Sequence, residues 1–554
     1  MAQHIKRASG GASVLVAAAA VILAVLMPSA QAAGLRKAAA TENELASRAA
    51  VQVMQSGGNA IDAAVTAAFM GGVVSPTSSG IGGGGFAVVW LAKEKRAFVL
   101  DFRETAPAGI DVAAFEKRPF SDPERGKYTG VPGEVRGLHT LHSKFGKKPW
   151  KDVVGPAAQT AKQGFAVGRF LAGSLAAYAK RLSTEPALSR VFYANGKPAA
   201  AGSRVTRPNL AKTLEQIAVS GPAAFYEGAV ARDIVASNRR AGGALSMADL
   251  AAYRPVERAA LHAKWEGHDV YTMPPPSAGG LMVVQTLGLY KKAELARLGR
   301  ESGAYQHLLA EAMRGAIADR MRHVGDPDHV ALDLSKLNSA KRLARRRARI
   351  AVDRTHTLPR FGLEEHGTHH LTTSDSEGNV VALTTTVNRT FGAKVVADAS
   401  GVVLNDELDD FTAAKDVGAF NLQQSPNRPR PGARPVSSMT PTIVVKDAKA
   451  VLALGGSGGM TIATNVTQLL VSSLVFDLKP QTAVKLPRFQ IPTGGATILL
   501  EAGASQALRD DLAFRGEIVG TVRFTQSAVQ MISLRNGQTE AASDPRKHGA
   551  AALR

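Results

Sequence analysis

The chain has 554 residues, of which 45% are hydrophobic and 20% charged, and its formal net charge is +21. That length suits one large layered unit or several small domains of ordinary globular composition. The complete absence of cysteine excludes disulfides, thiolate catalysis and Cys-based metal sites. The basic excess fits an anionic partner or simple solubility, but no aromatic interleaving or zinc spacing accompanies it, so no nucleic-acid partner is expected.

Residues 1–32 read as a secretory signal peptide. Lys6 and Arg7 supply a basic start, 14–27 is an apolar run too short to span a bilayer well, and Ala30-Gln31-Ala32 offers a small-x-small cleavage site. The mature chain is therefore expected to begin near Ala33, in a periplasmic or secreted location. No later segment is apolar enough to cross a membrane, so no anchor is expected after cleavage.

Leu45, Ala49 and Val53 stand at helical spacing and predict a helix over 44–55, stopped by Gly57-Gly58. Asn59 is placed to cap a second helix over 60–70. Gly80-Ile81-Gly82-Gly83-Gly84-Gly85 formally matches G-x-G-x-x-G. However, 86–91 alternates as a strand and 97–102 pairs with it across a charged turn, where a dinucleotide fingerprint requires a helix. The glycines instead predict a tight bend between closely approaching backbones. The stretch 150–350 reads mostly helical, interrupted by Pro-rich loops such as Met273-Pro274-Pro275-Pro276-Ser277. Its densest basic run, 341–349, reads as a solvated helix or linker face. Strands take over after Thr368: 371–374 and 380–387 flank a turn at 375–379, 442–446 and 451–454 form a second hairpin, and 460–476 is an apolar helix. Paired sheets with helices outside fit this order, an α+β class.

Several groups carry chemistry. Thr368 follows Gly367, and a threonine hydroxyl is a poor nucleophile until the peptide bond before it is cut. The freed α-amine, with an ordinary pKa of about 7.7–8.0, is then a built-in general base. His366, Thr368 and His370 would share one strand face. No H-E-x-x-H spacing supports a metal there, and neither metal nor cofactor is expected. Gly455-Gly456-Ser457-Gly458-Gly459 matches G-x-S-x-G between a strand and a helix, the setting of a nucleophile elbow. An α/β-hydrolase would then need an acid and a histidine, for which only Asp544 and His548 remain, in a polar tail. The alternative is that the N–H groups of Gly458 and Gly459 form an oxyanion hole. Arg103 is suited to bidentate capture of a carboxylate, Ser437 and Ser438 to adding hydroxyl donors, and Glu407, Asp409 and Asp410 to holding an ammonium. Together they specify a zwitterion clamp, cationic at one end and acidic at the other.

In order along the chain, these motifs resemble the γ-glutamyltransferase (γ-glutamyltranspeptidase, glutathione hydrolase) family of N-terminal-nucleophile hydrolases. The matching segments run from 57–64, 82–86, Asp101-Phe102-Arg103-Glu104 and Val131-Pro132-Gly133 through 274–280 and Gly325-Asp326-Pro327-Asp328. They continue with Thr368-His369-His370, 388–392, 405–411, 434–439 and 455–459. The resemblance implies a four-layer αββα sandwich, cut by itself into a large subunit (33–367) and a small subunit (368–554) that stay together as a heterodimer. It implies Thr368 as the self-cutting residue and acyl acceptor, Thr386 as its hydroxyl partner, and Gly458 and Gly459 as oxyanion donors. Arg103, Ser437 and Ser438 would hold the substrate α-carboxylate, and Asn388, Glu407 and Asp410 its α-amino group. The implied substrates are γ-glutamyl compounds such as glutathione, with water, amino acids or peptides as acceptors. The chain departs from the family at His369, where a second threonine is usual, and in 412–433, which has no tyrosine and offers Phe420 as nearest aromatic.

Other readings stay open at this level: a glutaryl- or cephalosporin-type acylase, which would not need the acidic group; a hydrolase built on Ser457; and an uncut, inactive chain that binds γ-glutamyl ligands.

Overall fold

The computed structural model describes residues 34–117, 125–357, 367–413, 424–492, 495–523 and 527–554. The expected signal peptide, His366 and Phe420 lie outside these residues. The elements that build the layers are β1 (Ala38–Thr41), α1 (Glu44–Gln55), α2 (Ala60–Val74), β2 (Gly84–Leu91), β3 (Arg96–Phe102), α3 (Glu134–Phe145) and α4 (Trp150–Gln163). Next come β4 (Val256–Arg258), β5 (Leu261–Trp265), β6 (His268–Thr272), α5 (Gly279–Leu289), α6 (Gly303–His323) and α7 (Ala340–Arg347). The remainder are β7 (His369–Ser374), β8 (Val380–Thr386), β9 (Thr442–Lys446), β10 (Lys449–Ser457), α8 (Thr461–Phe476), β11 (Ala528–Ser533), β12 (Glu540–Ser543) and β13 (Ala550–Leu553).

The strands form two antiparallel sheets, ordered β13-β1-β7-β8-β2-β3-β4 and β12-β11-β10-β9-β6-β5. Side-chain alternation decides which face meets what. In β2, Phe86, Val88 and Trp90 enter the core shared with the second sheet, α5, α6 and α8, whereas Ala87, Val89 and Leu91 pack with α2, α3 and α4. In β8, Val380 and Ala382 face the first of these cores and Val381 and Leu383 the second. The result is the expected helix–sheet–sheet–helix sandwich. Both sheets are covered on both faces, which is why their strands read as nearly continuous apolar runs.

Local signals fix the helix starts. Asn59 Oδ1 accepts from the N–H groups of Ile61 and Asp62 at 3.0 Å, and Asp62 Oδ2 accepts from Asn59 N–H at 2.9 Å, a reciprocal capping box. The glycine bend before β2 is the expected close approach: a Cβ on Gly82 would lie 2.1 Å from Val403 O, and one on Gly83 would lie 1.9 Å from Thr386 O. Two expectations need correction. The basic run does form a helix, α7, but one face of it is tied down, with Arg342 and Arg346 on Asp319 at 2.6 and 3.2 Å and Arg347 on Glu294. The C-terminal segment is not a polar tail, because β13 pairs with β1 and carries Lys547 into the interior, where it is 7% exposed.

Candidate active site

The site forms where β7 begins, beside the end of β8 and the β10–α8 junction. Strand β7 starts at His369, so Thr368 stands just outside it. The shared strand face expected for Thr368 and His370 is not observed, because Thr368 has φ +82° and leaves the extended path. A β-branched residue at positive φ is an outlier that costs on the order of 1–3 kcal/mol. Gly367 before it has φ +93°, and a Cβ there would sit 1.6 Å from Asn388 O, so the residue preceding Thr368 must be glycine. His370 is a satisfied interior histidine, bonded to Thr384 Oγ1 at 2.8 Å and Thr372 Oγ1 at 3.1 Å.

Thr368 is buried, and its hydroxyl donates to Thr386 Oγ1 at 3.4 Å. The Thr386 oxygen also accepts the Asn388 N–H at 2.7 Å. Across the gap, Gly458 N–H donates to the carbonyl oxygen of Gly367 at 3.0 Å. One of the two expected oxyanion glycines thus already holds the carbonyl of the peptide bond that precedes Thr368. Gly458 and Gly459, at φ +114° and +60°, make the turn from β10 into α8. This strand–turn–helix is the geometry of a nucleophile elbow, but the elbow serine has no access to solvent. Ser457 is 0% exposed and its oxygen accepts from Lys547 Nζ at 2.6 Å. Asp544 accepts from Arg488 and Arg546 at 2.7 and 3.1 Å. The acid a Ser457 triad would need is thus committed to two arginines.

The expected clamp residues do meet, but its two ends touch. Arg103, at the end of β3, is 1% exposed and donates to Glu407 Oε1, to Asp410 Oδ2 at 2.6 Å, and to the carbonyls of Pro435 and Val436 at 3.1 and 3.3 Å. Asn388 Nδ2 donates to Asp410 Oδ1 and to Asp406 O, both at 3.1 Å. One guanidinium is therefore shared by two carboxylates. Ser437 Oγ accepts the Met439 N–H at 3.1 Å, and Ser438 Oγ accepts from Arg320. Asp409 turns away to pair with Arg389 at 2.5 Å. Burial opposes the charge on Arg103, but Glu407 and Asp410 outweigh it and raise its pKa. Burial pushes Glu407 well above the carboxylate range against the pull of Arg103. Burial likewise pushes Glu104 up to about 8, with Arg103 again opposing.

Three residues near the site carry little signal in the sequence. Arg320 reaches Ser438 from α6, and Lys547 and Glu42 lie behind Thr368. All three sit among other charged residues in the sequence, and their burial becomes visible only once the sheets close. His369, the departure from the family pattern, pairs in register with Thr385 and faces the helix layer, where its ring lies 3.1 Å from the position of a Cβ on Gly71. It points away from the Thr368–Thr386 contact, and burial lowers its pKa.

A sequence profile described as gamma-glutamyltranspeptidase matches residues 46–553. The chain belongs to the γ-glutamyltranspeptidase family. Within that family it is similar to glutathione hydrolase 2 of Arabidopsis thaliana, 39% identical over 473 residues that cover 81% of this chain and 79% of the relative. It is also similar to the glutathione hydrolase proenzyme of Escherichia coli K12, 34% identical over 526 residues, covering 92% and 90%. Among solved structures, a cephalosporin acylase from Bacillus halodurans superposes with TM-score 0.83 at 25% identity, over 94% of this chain and 96% of that one. The γ-glutamyltranspeptidase of Helicobacter pylori superposes with TM-score 0.54 at 34% identity, over 56% of this chain and 91% of that one. This γ-glutamyltranspeptidase-family enzyme has no helix among the described residues that is long and apolar enough to cross a membrane.

Proposed function

We propose that the protein is a self-cutting γ-glutamyl hydrolase/transferase, exported and processed into 33–367 and 368–554, with Thr368 as nucleophile of both reactions. The observation that carries this is the geometry around one peptide bond. The Gly367 carbonyl rests on Gly458 N–H, the Thr368 hydroxyl on Thr386, and Thr368 itself is held at a strained φ. In the first reaction, Thr368 Oγ attacks the Gly367 carbonyl carbon. The oxyanion gathers its charge on Gly458 N–H, the C–N bond breaks, and the departing nitrogen takes the hydroxyl proton. Water then hydrolyses the resulting ester, returning the hydroxyl to Thr368 and leaving a carboxylate on Gly367. Cutting removes the strained φ altogether, so the strain favours the cut state.

In the second reaction, the free α-amine of Thr368 takes the hydroxyl proton while Oγ attacks the γ-amide carbon of the donor. Gly458 and Gly459 face the developing oxyanion. The amine product leaves with a proton, and water or the amine of an amino acid or peptide releases the γ-glutamyl group. Arg103, with Ser437 and Ser438, takes the donor α-carboxylate, and Asn388, Glu407 and Asp410 take its α-ammonium. The direct Arg103–Glu407 and Arg103–Asp410 contacts open to admit those two groups, so that Arg103 pairs with the donor carboxylate and the two acids with its ammonium. Two buried carboxylates on one guanidinium favour an ammonium-bearing γ-glutamyl donor over a glutaryl one, which brings only negative charge to that end.

Intact mass and N-terminal sequencing of the wild type and Thr368→Ala, with initial rates on γ-glutamyl and glutaryl p-nitroanilides, test this. The reading requires two chains, one beginning at Thr368, a single chain in the variant, and preference for the γ-glutamyl anilide. An uncut wild type refutes it, and preference for the glutaryl anilide moves the chain to the acylases.

A further inference from the structure

At the carbonyl of Thr368 lies a buried ionic cluster that the reaction steps above do not use. Lys547 Nζ donates to three acceptors: Glu42 Oε2 at 3.0 Å, Thr368 O at 3.1 Å and Ser457 Oγ at 2.6 Å. An ammonium has three protons, so this one is fully committed and its position fixed. Glu42 is fixed in turn, since its other oxygen accepts the His370 N–H at 3.0 Å. The three acceptors belong to different parts of the chain. Glu42 follows β1, Thr368 is the nucleophile residue, and Ser457 immediately precedes Gly458, whose N–H holds the Gly367 carbonyl. Burying a lysine costs several kcal/mol unless it is paired and hydrogen-bonded, and two of its three partners, Thr368 and Ser457, belong to or adjoin the residues of the proposed reaction.

We propose that Lys547, seated on Glu42, is a positioning residue that sets the Thr368 nucleophile in register with the Gly458 oxyanion donor. The ammonium grips the nucleophile residue by its carbonyl and the oxyanion turn by its preceding side chain, so the two cannot drift apart. After cutting, the same positive charge stands one residue's width from the α-amine of Thr368, where it disfavours the ammonium form and keeps the amine ready to accept a proton. This inference rests on the proposed Thr368 chemistry. Ser457 is then a strut of the register, which gives the serine of the G-x-S-x-G pattern a role without a triad.

The charged and titratable groups that face Lys547 are Glu42, His369 from β7, His548 beside it, and Arg169 across the small cavity lined by Glu42, Phe170 and Lys547, while the His370 ring turns to Thr384 and Thr372. The test is Lys547→Met in the full chain, with Ser457→Ala as the variant that keeps the charge. In Lys547→Met, self-cutting slows about 10–100-fold, as expected for a nucleophile displaced by a fraction of an ångström to one ångström. In the cut enzyme kcat falls while KM for γ-glutamyl-p-nitroanilide holds, and the low-pH limb of kcat/KM moves up by about one unit. In Ser457→Ala, cutting and kcat fall several-fold, and the pH limb stays in place. Should Lys547→Met not fold, Ser457→Ala decides the register alone. Rates within twofold of wild type with an unmoved pH limb overturn the proposal. Complete loss of turnover in Ser457→Ala with normal cutting also overturns it, because Ser457 would then be the nucleophile. A wild type that is never cut refutes the Thr368 reading instead, so the two failures are distinguishable.

Discussion

Asp410→Asn is the most discriminating change. Asp410 is 5% exposed, with one oxygen on Arg103 at 2.6 Å and the other on Asn388 at 3.1 Å. Asparagine keeps the shape and one acceptor oxygen but removes the charge. A donor ammonium at about 4 Å from the carboxylate, in an effective dielectric near 20, gains about 4 kcal/mol from it. Part of that gain is returned because the carboxylate gives up its bond to Arg103 as the donor enters. The net loss should resemble that of one charged hydrogen bond, about 1.5–3 kcal/mol. This corresponds to roughly a 10–150-fold fall in kcat/KM for γ-glutamyl-p-nitroanilide. A glutaryl anilide has no ammonium, so its rate should hold or rise as a negative charge leaves the pocket. The assay is initial-rate anilide release by protein confirmed by gel to be cut, with kcat and KM resolved for both donors. Equal losses on both donors would refute the ammonium role and leave Asp410 as support for Arg103. An unchanged γ-glutamyl rate would remove Asp410 from the donor site altogether.

Thr386→Val removes the partner of the nucleophile hydroxyl and strands the buried Asn388 N–H. Self-cutting and kcat should each fall about 3–10-fold, and calorimetry should show a loss of about 1–3 kcal/mol. A stability loss with unaltered kinetics would make Thr386 purely structural. Gly458→Ala forces a side chain onto φ +114° and displaces the N–H that holds Gly367 O. Cutting followed on denaturing gels should slow about 100–1,000-fold. Glu104 has its pKa raised by burial to about 8, so between about pH 5 and 8 the folded state keeps a proton that the unfolded chain releases. Stability should therefore fall as pH rises through that window, with Glu134 acting in the same direction, and Glu104→Gln should flatten the slope in urea titrations.

Much of this protein is decided locally. The short apolar and β-branched runs at 86–91 and 380–386, the Asn59–Asp62 capping box and the turn at 375–379 depend on neighbours within a few residues, so their elements could be read from the chain directly. The glycines at 80–85 could also be read, because only a crowded backbone explains so many residues without side chains. Thr368 and the proposed clamp residues stood out as ordered motifs through the family resemblance. Their contacts did not. Arg103 meets Glu407 across 304 residues, Lys547 meets Thr368 across 179, and Arg320 meets Ser438 across 118. No local pattern marks a charged residue for burial, since the same lysine on an open surface would be spelled identically. Only the closing of the two sheets, with β13 laid against β1, turns these scattered charges into a site. It also aims His369 at the helices and His370 at the opposite sheet, one residue apart on the same strand.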